Sequence, residues 1–347
     1  MDWRRWNGSF TVTGVNASGI DELPDGTTRR NRRRVWWGAG IATLSAVVVV
    51  GLVVGFQPSD ASGVGGSSST TTDVTSEVPT VTRLNRIIDR IADKYDVTLG
   101  VSLRDDGEVV HAGELQEIRS WSTTKVPVAI AAVRKATDND TLDLISDDLE
   151  WALTMSDNDA AMRLWYTLGS WQQGSAAITE VMEETGDPTD AVAAESASDY
   201  TGFGDIHWTL DNQVTFANRM SCLDGAEPVL DEMGQVVPVH RMGLGALAGA
   251  RFKGGWGPED DGTYLLREFG LVGEENRQVP IAIAVVPDDG SDTTAREALE
   301  AFALALEPVI DDVADHGGAA ECQVPAGVPD ASDAAPVSVA EYTGAVR

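Results

Sequence analysis

The chain has 347 residues, ordinary globular composition and a formal net charge of −30 at pH 7, enough for one or two domains with sizeable cores. The charge is uneven: residues 1–34 hold seven Arg and four acids, whereas everything after the following apolar stretch holds 18 basic and 51 acidic residues. A surface that negative repels nucleic acid and anionic lipid, so no nucleic-acid partner is expected.

Residues 1–34 are rich in Gly, Asn, Asp, Thr and Arg without periodicity and read as a disordered cytoplasmic tail. Residues 35–56, VWWGAGIATLSAVVVVGLVVGF, carry no charge. At ~1.5 Å per residue they span roughly 33 Å, the thickness of a bilayer core. Arg29, Arg30, Arg32, Arg33 and Arg34 precede the stretch, and Trp36 and Trp37 sit at its inner edge. That flank favours an uncleaved transmembrane signal anchor over a buried core helix and leaves the rest of the chain outside the cell membrane. A cleaved signal peptide has a shorter apolar region with an A-x-A-like site after it, and neither is present.

Residues 57–80 form a Ser/Thr/Gly linker with Pro at both ends. One folded unit is expected over 81–323, and a disordered Ala/Pro/Val/Ser tail over 324–347. Leu84, Ile87, Ile88, Ile91, Ala92 and Tyr95 recur at helical spacing, predicting a helix over 83–95. Val97, Leu99, Val101 and Leu103 alternate as a half-buried strand does, and Asp105-Asp106-Gly107 signals a hairpin to a return strand around Val109 and Val110. From Ser122 to about Met220 the pattern is mainly helical. Strands are expected near 250–255, 264–272 and 279–286, the last nearly all apolar as a central strand is. Leu299, Phe302 and Leu306 mark a closing helix ended by Pro308. The order predicts an α/β (α+β) fold: one antiparallel sheet built from both ends of the domain and flanked by helices, with an all-helical second lobe. A site between the lobes would draw residues from each.

Three short strings are the candidates for chemistry. Ser122-Thr123-Thr124-Lys125 puts a hydroxyl and an amine three residues apart, on one face of a helix. Ser is a weak nucleophile until a base takes its proton, and Lys125 is such a base only if burial or a nearby cation lowers its pKa. Ser122 also suits a helix cap. Ser156-Asp157-Asn158 likewise suits an N-cap before the helical run from Ala160. Lys253-Gly254-Gly255 lies at a strand, where glycines permit close approach of another backbone. The four histidines, His111, His207, His240 and His316, are scattered, with His207 in a turn before a helix. Two cysteines without clustered histidines do not make a zinc site, and no metal or cofactor is expected. Outside the membrane Cys222 and Cys322 would pair as a disulfide, although two separate buried thiols are the alternative.

In this order the strings resemble the S-x-x-K, S-D-N and K-T-G series of the class A β-lactamase and penicillin-recognising serine hydrolase superfamily. The segment from Leu153 to Ala161 is similar to that around the second motif of class A enzymes. The resemblance covers about residues 81–323 and is nearest to membrane-anchored serine hydrolase-like proteins. It implies that Ser122 is the nucleophile, Lys125 its base and Ser156 a proton relay. Asn158 would bond the substrate amide and Lys125, Asp157 would fasten the loop, and Lys253 would raise the local positive potential. Ser122 and Trp256 would give backbone oxyanion donors beside Gly254 and Gly255.

Three departures stand beside it. Gly254 replaces a Thr or Ser used on the substrate carboxylate; Arg267 on the next strand is a candidate to compensate, unless it is simply an exposed strand charge. Only 31 positions separate Lys125 from Ser156, so one wall of the cleft is shortened. In the region 187–205 the one Glu is Glu195, without the flanking pattern of the deacylating Glu of class A enzymes. Two functions stay open: a serine acyl-enzyme hydrolase or transferase acting on β-lactams, peptidoglycan stem peptides or related amides and esters, with slow deacylation; and a catalytically silent module that binds peptidoglycan or a membrane partner.

Overall fold

The computed structural model describes residues 78–191, 204–259, 262–274, 276–318, 320 and 322. They belong to the second of two compact units, Asp73–Arg347. The apolar segment 35–56, the tails, residues 57–77 of the linker and Glu195 lie outside the described residues. Among the described residues no helix is long and apolar enough to cross a membrane.

Helix α1 (Thr80–Tyr95) starts three residues before the expected position 83, and buries Leu84, Ile88 and Ile91. Strands β1 (Val97–Asp105) and β2 (Glu108–Gly113) form an antiparallel hairpin in which Asp105 faces Glu108. Its two turn residues, Asp106 and Gly107, have φ of 45° and 84°. Positive φ at both central positions is the turn whose twist matches that of paired strands, and it suits an Asp-Gly pair.

A short strand β3 (Glu117–Arg119) follows, then a 3-10 turn (Trp121–Thr124) and α2 (Lys125–Asp138). Helices α3 (Ser146–Thr154), α4 (Asn158–Leu168) and α5 (Trp171–Glu184) build the helical lobe around α2. α2 is buried almost all round, from Val126 to Val133, as the central helix of a lobe must be. Strand β4 (His207–Thr209) pairs with β3, and α6 (Leu210–Met220) and α7 (Ala226–Met233) complete the middle of the chain. His207 is thus a strand residue paired with Arg119, and the helix start falls to Thr209, whose hydroxyl caps α6.

Strands β5 (Arg251–Pro258), β6 (Tyr264–Val272) and β7 (Val279–Pro287) complete a five-stranded sheet in the order β2-β1-β7-β6-β5, all neighbours antiparallel. The sheet is built from both ends of the domain, and β5 is an edge. β7 is central and buried on both faces, which explains its unbroken apolar run. Its Ala282 and Ala284 face the helical lobe, while Ile281, Ile283 and Val285 face α1 and α8 (Asp292–Asp315).

Helix α8 corrects one expectation: it does not end at Pro308 but runs seven residues further. Val309, Ile310 and Val313 continue the buried face set by Phe302 and Leu306, and the Pro308 carbonyl accepts from Arg83 of α1. Burial of that last apolar turn outweighs the hydrogen bond that proline removes. Cys222 and Cys322 form a disulfide with Cα atoms 5.2 Å apart. It ties the chain just after α6 to the segment beyond α8.

Candidate active site

The 3-10 turn that carries Ser122 is held by buried hydroxyls. Ser120 accepts from Thr124 and donates to the Gly204 carbonyl at 3.0 Å, and Thr123 accepts from Gln213 at 3.0 Å. Trp121, just before Ser122, has φ of 50°. Its indole lies over Gly257 of β5 so closely that a Cβ there would stand 2.3 Å from the ring, and its Nε1 donates to Glu259. A bulky residue in the left-handed region is strained, and the surroundings must hold it there. Gly255 brings β5 equally near: a Cβ on it would stand 2.9 Å from the Ser122 nitrogen. Glycine is required here because two backbones touch.

Lys125 opens α2 and is 1% exposed. Its Nζ donates to the Ser156 carbonyl at 2.6 Å, Asn158 Oδ1 at 2.7 Å, and Ser156 Oγ and the Asp157 carbonyl at 3.3 Å. Burial, and then the Lys253 charge, hold its pKa well below the usual lysine range, against the pull of Asp157. Among the described residues these bonds do not include Ser122 Oγ. Ser156, with φ of 57°, turns its carbonyl and hydroxyl onto the amine and occupies it. Catalytic hydrogen bonds are often loose without substrate, and Ser122 stays within the same helical turn as Lys125.

Asp157 caps α4, accepting from the Ala160 amide at 2.7 Å, while its own amide bonds the Trp151 carbonyl. The capping role and the loop-fastening role of this residue are therefore the same. Lys253, 2% exposed, donates to Ser156 Oγ at 2.9 Å and to the Gly254 carbonyl at 2.8 Å. Burial lowers its pKa to about 7, against the pull of Glu268. Two buried amines thus meet at one serine hydroxyl. Amines brought partway to neutrality can take up and return a proton near neutral pH, and a hydroxyl between them can pass it on.

The structure brings together Lys125, Ser156, Asn158 and Lys253, and sets Ser122 against Gly255 of β5. Trp256 turns its indole to the other face of the sheet, 5.0 Å from the His240 ring and 5.6 Å from the Arg296 guanidinium. Arg267 is not part of the cleft, and it is not an exposed strand charge either. It is fully buried and donates to the carbonyls of Ile118, Arg119 and Trp208 and to Gln213 Oε1, tying β3 and β4 to the sheet. Trp121 and Glu268 escaped the sequence reading. The signal for Glu268 was present: Arg267-Glu268 interrupts an otherwise apolar strand, and a charge pair there is buried or functional.

Solved structures similar to this fold include class A β-lactamases. The chain aligns with TLA-3 extended-spectrum β-lactamase at a TM-score of 0.54 and 13% identity, over 66% of this chain and 99% of that one. It aligns with the class A β-lactamase of Mycobacterium abscessus at 0.52 and 16%, over 66% and 99%, and with that of Bacteroides cellulosilyticus at 0.53 and 16%, over 67% and 100%. No family model and no curated protein matches the chain. The described domain has the class A β-lactamase-like fold.

Proposed function

We propose that the chain is an extracytoplasmic serine acyl-enzyme hydrolase or transferase of the β-lactamase-like type. Its substrates would be β-lactams, cell-wall peptides or related amides and esters. Ser122 attacks the carbonyl carbon, Lys125 takes its proton, and Ser156 with Lys253 returns a proton to the leaving group. Asn158 and the backbone along Gly254, Gly255 and Trp256 hold the donor, with the Ser122 and Trp256 amides facing the oxyanion. The observation that carries this reading is the meeting of two buried amines of lowered pKa at Ser156 Oγ, one of them, Lys125, a single turn along the chain from Ser122. The sequence supports the membrane placement through the apolar segment 35–56 behind a five-Arg cluster. No Glu suited to activating a deacylating water is recognised in the sequence, so deacylation is slow.

A silent binding module is the second reading. The Lys125 bonds that all go to the Ser156–Asn158 loop, and the missing hydroxyl at Gly254, favour it. Covalent labelling of the full chain by a fluorescent penicillin or a fluorophosphonate separates the two. Label that is lost in Ser122→Ala supports the acyl-enzyme; no label from either reagent supports the module.

A further inference from the structure

With Ser122 taken as the nucleophile proposed above, the part of an acyl donor beyond its scissile bond runs along the open edge of β5 at Gly254 and Gly255. A carboxylate there would need a cation or hydroxyl with a free hydrogen. The two glycines have no side chain. Lys253 is nearly buried and already serves Ser156 and the Gly254 carbonyl. Arg267 is wholly buried, with both terminal nitrogens given to β3, β4 and Gln213 and an Nε that has no partner among the described residues but is sealed from the cleft. Arg296 gives its Nε to both Asp292 oxygens at 2.8 and 2.9 Å and its Nη1 to Met242 Sδ, and its guanidinium lies over the Trp256 ring on the other face of the sheet. His240 is held uncharged, since burial and then Lys253, Arg296 and Lys125 lower its pKa to about 4.

Beneath Gly254 stands a carboxyl group instead. Glu268 is its cross-strand partner and is wholly buried, with Cγ 3.7 Å from where a Cβ of residue 254 would stand. Its Oε2 accepts from the Leu244 amide at 2.7 Å, and its Oε1 has no partner among the described residues. Burial pushes the Glu268 carboxyl up and the Lys253 amine down, and each opposes the shift of the other. With one proton between them, whichever group holds it, the two together carry no net charge. The net charge of −30 adds a long-range field that repels anions.

We propose that the cleft takes an acyl donor that is uncharged next to its scissile bond, an ester or amide without a neighbouring carboxylate, and that Glu268 beneath Gly254 sets this preference. The covalent step is acyl transfer. The Ser122 Oγ–carbon bond forms, the C–O or C–N bond of the donor breaks, and the Ser122 proton leaves on the departing alcohol or amine.

The test uses the full chain with three probes, a fluorophosphonate, benzylpenicillin and benzylpenicillin methyl ester, and follows acylation by intact mass. The fluorophosphonate should label Ser122, and the ester should react at least as fast as the free acid. Glu268→Gln should raise the acid rate relative to the ester rate by about tenfold, the scale of one hydrogen bond to a charged group. Gly254→Ser, which adds a hydroxyl where a Cβ meets only ordinary contacts of 3.4 Å or more, should move the ratio the same way if Glu268→Gln does not fold. A free acid reacting about tenfold faster than its ester in the unaltered chain overturns the proposal while leaving Ser122 as nucleophile. So does an acid-to-ester ratio that neither variant moves. Absence of a fluorophosphonate adduct overturns the Ser122 reading, and this preference with it.

Discussion

Ser156 shows how one residue organises the cleft. Its left-handed backbone presents a carbonyl to Lys125 and a hydroxyl to Lys125 and Lys253 together. Neither amine has a carboxylate bonded to it among the described residues: burial lowers both, the Lys253 charge adds to this at Lys125, and Asp157 and Glu268 only partly oppose it. Lys253 supplies its positive charge only below about 7 and loses it as pH rises through that value. Lys253→Arg, which keeps its charge at all working pH, should move the pH optimum of Ser122 acylation upward. An optimum that stays in place in this variant, with the fold intact by circular dichroism, would show that the Lys253 proton is not involved. These residue types were legible in the sequence because each motif binds a chemistry to a spacing. Their partners were not. Nothing in a string says that Arg267 turns inward to four acceptors or that Glu268 lies beneath Gly254.

At the scale of elements, β5 and the Ser122 turn act as one piece. Gly255 and Gly257 lack side chains at the two places where the turn backbone and the Trp121 ring touch the strand. Gly257→Ala must displace the ring from its Glu259 bond. It should cost about 1–3 kcal/mol of stability, the usual penalty of overpacking, and slow acylation as the Ser122 and Trp256 amides shift apart. Denaturant titration and single-turnover labelling read the two effects; a variant equal to the parent in both would mean that the contact is slack. Element types were largely legible because periodicity reports burial directly: 3.6 in α1, 2 in β1, and an unbroken apolar run in β7. Two boundaries were not. The closing helix passes Pro308 because α1 and the sheet bury its last turn, and β4 appears at His207 only through its pairing with β3. Those are tertiary causes, invisible to a local pattern.

The whole domain closes on itself: the sheet takes β1 and β2 from one end of the chain and β5 to β7 from the other, with the helical lobe inserted between. The Cys222–Cys322 disulfide links positions 100 apart along that path. Replacing both cysteines by serine should lower stability by up to ~4.7 kcal/mol, the chain-entropy limit for a loop of that length, read as a lower thermal midpoint. An unchanged midpoint would show that the unfolded chain gains no freedom from its loss. The apolar segment 35–56 makes a separate prediction: protease added to intact cells should remove the folded domain and spare the tail before Arg34, and protection of the domain would reverse the topology. The central claim is that Ser122 forms an acyl-enzyme that is slow to hydrolyse. Intact-mass spectrometry over time, after exposure to penicillin, tests it most directly. The account predicts an adduct of the full β-lactam mass that persists and is absent in Ser122→Ala. Rapid turnover without a lasting adduct, abolished by Glu195→Gln, would contradict the slow deacylation; no adduct with any β-lactam, ester or peptide mimic would contradict the acyl-enzyme itself.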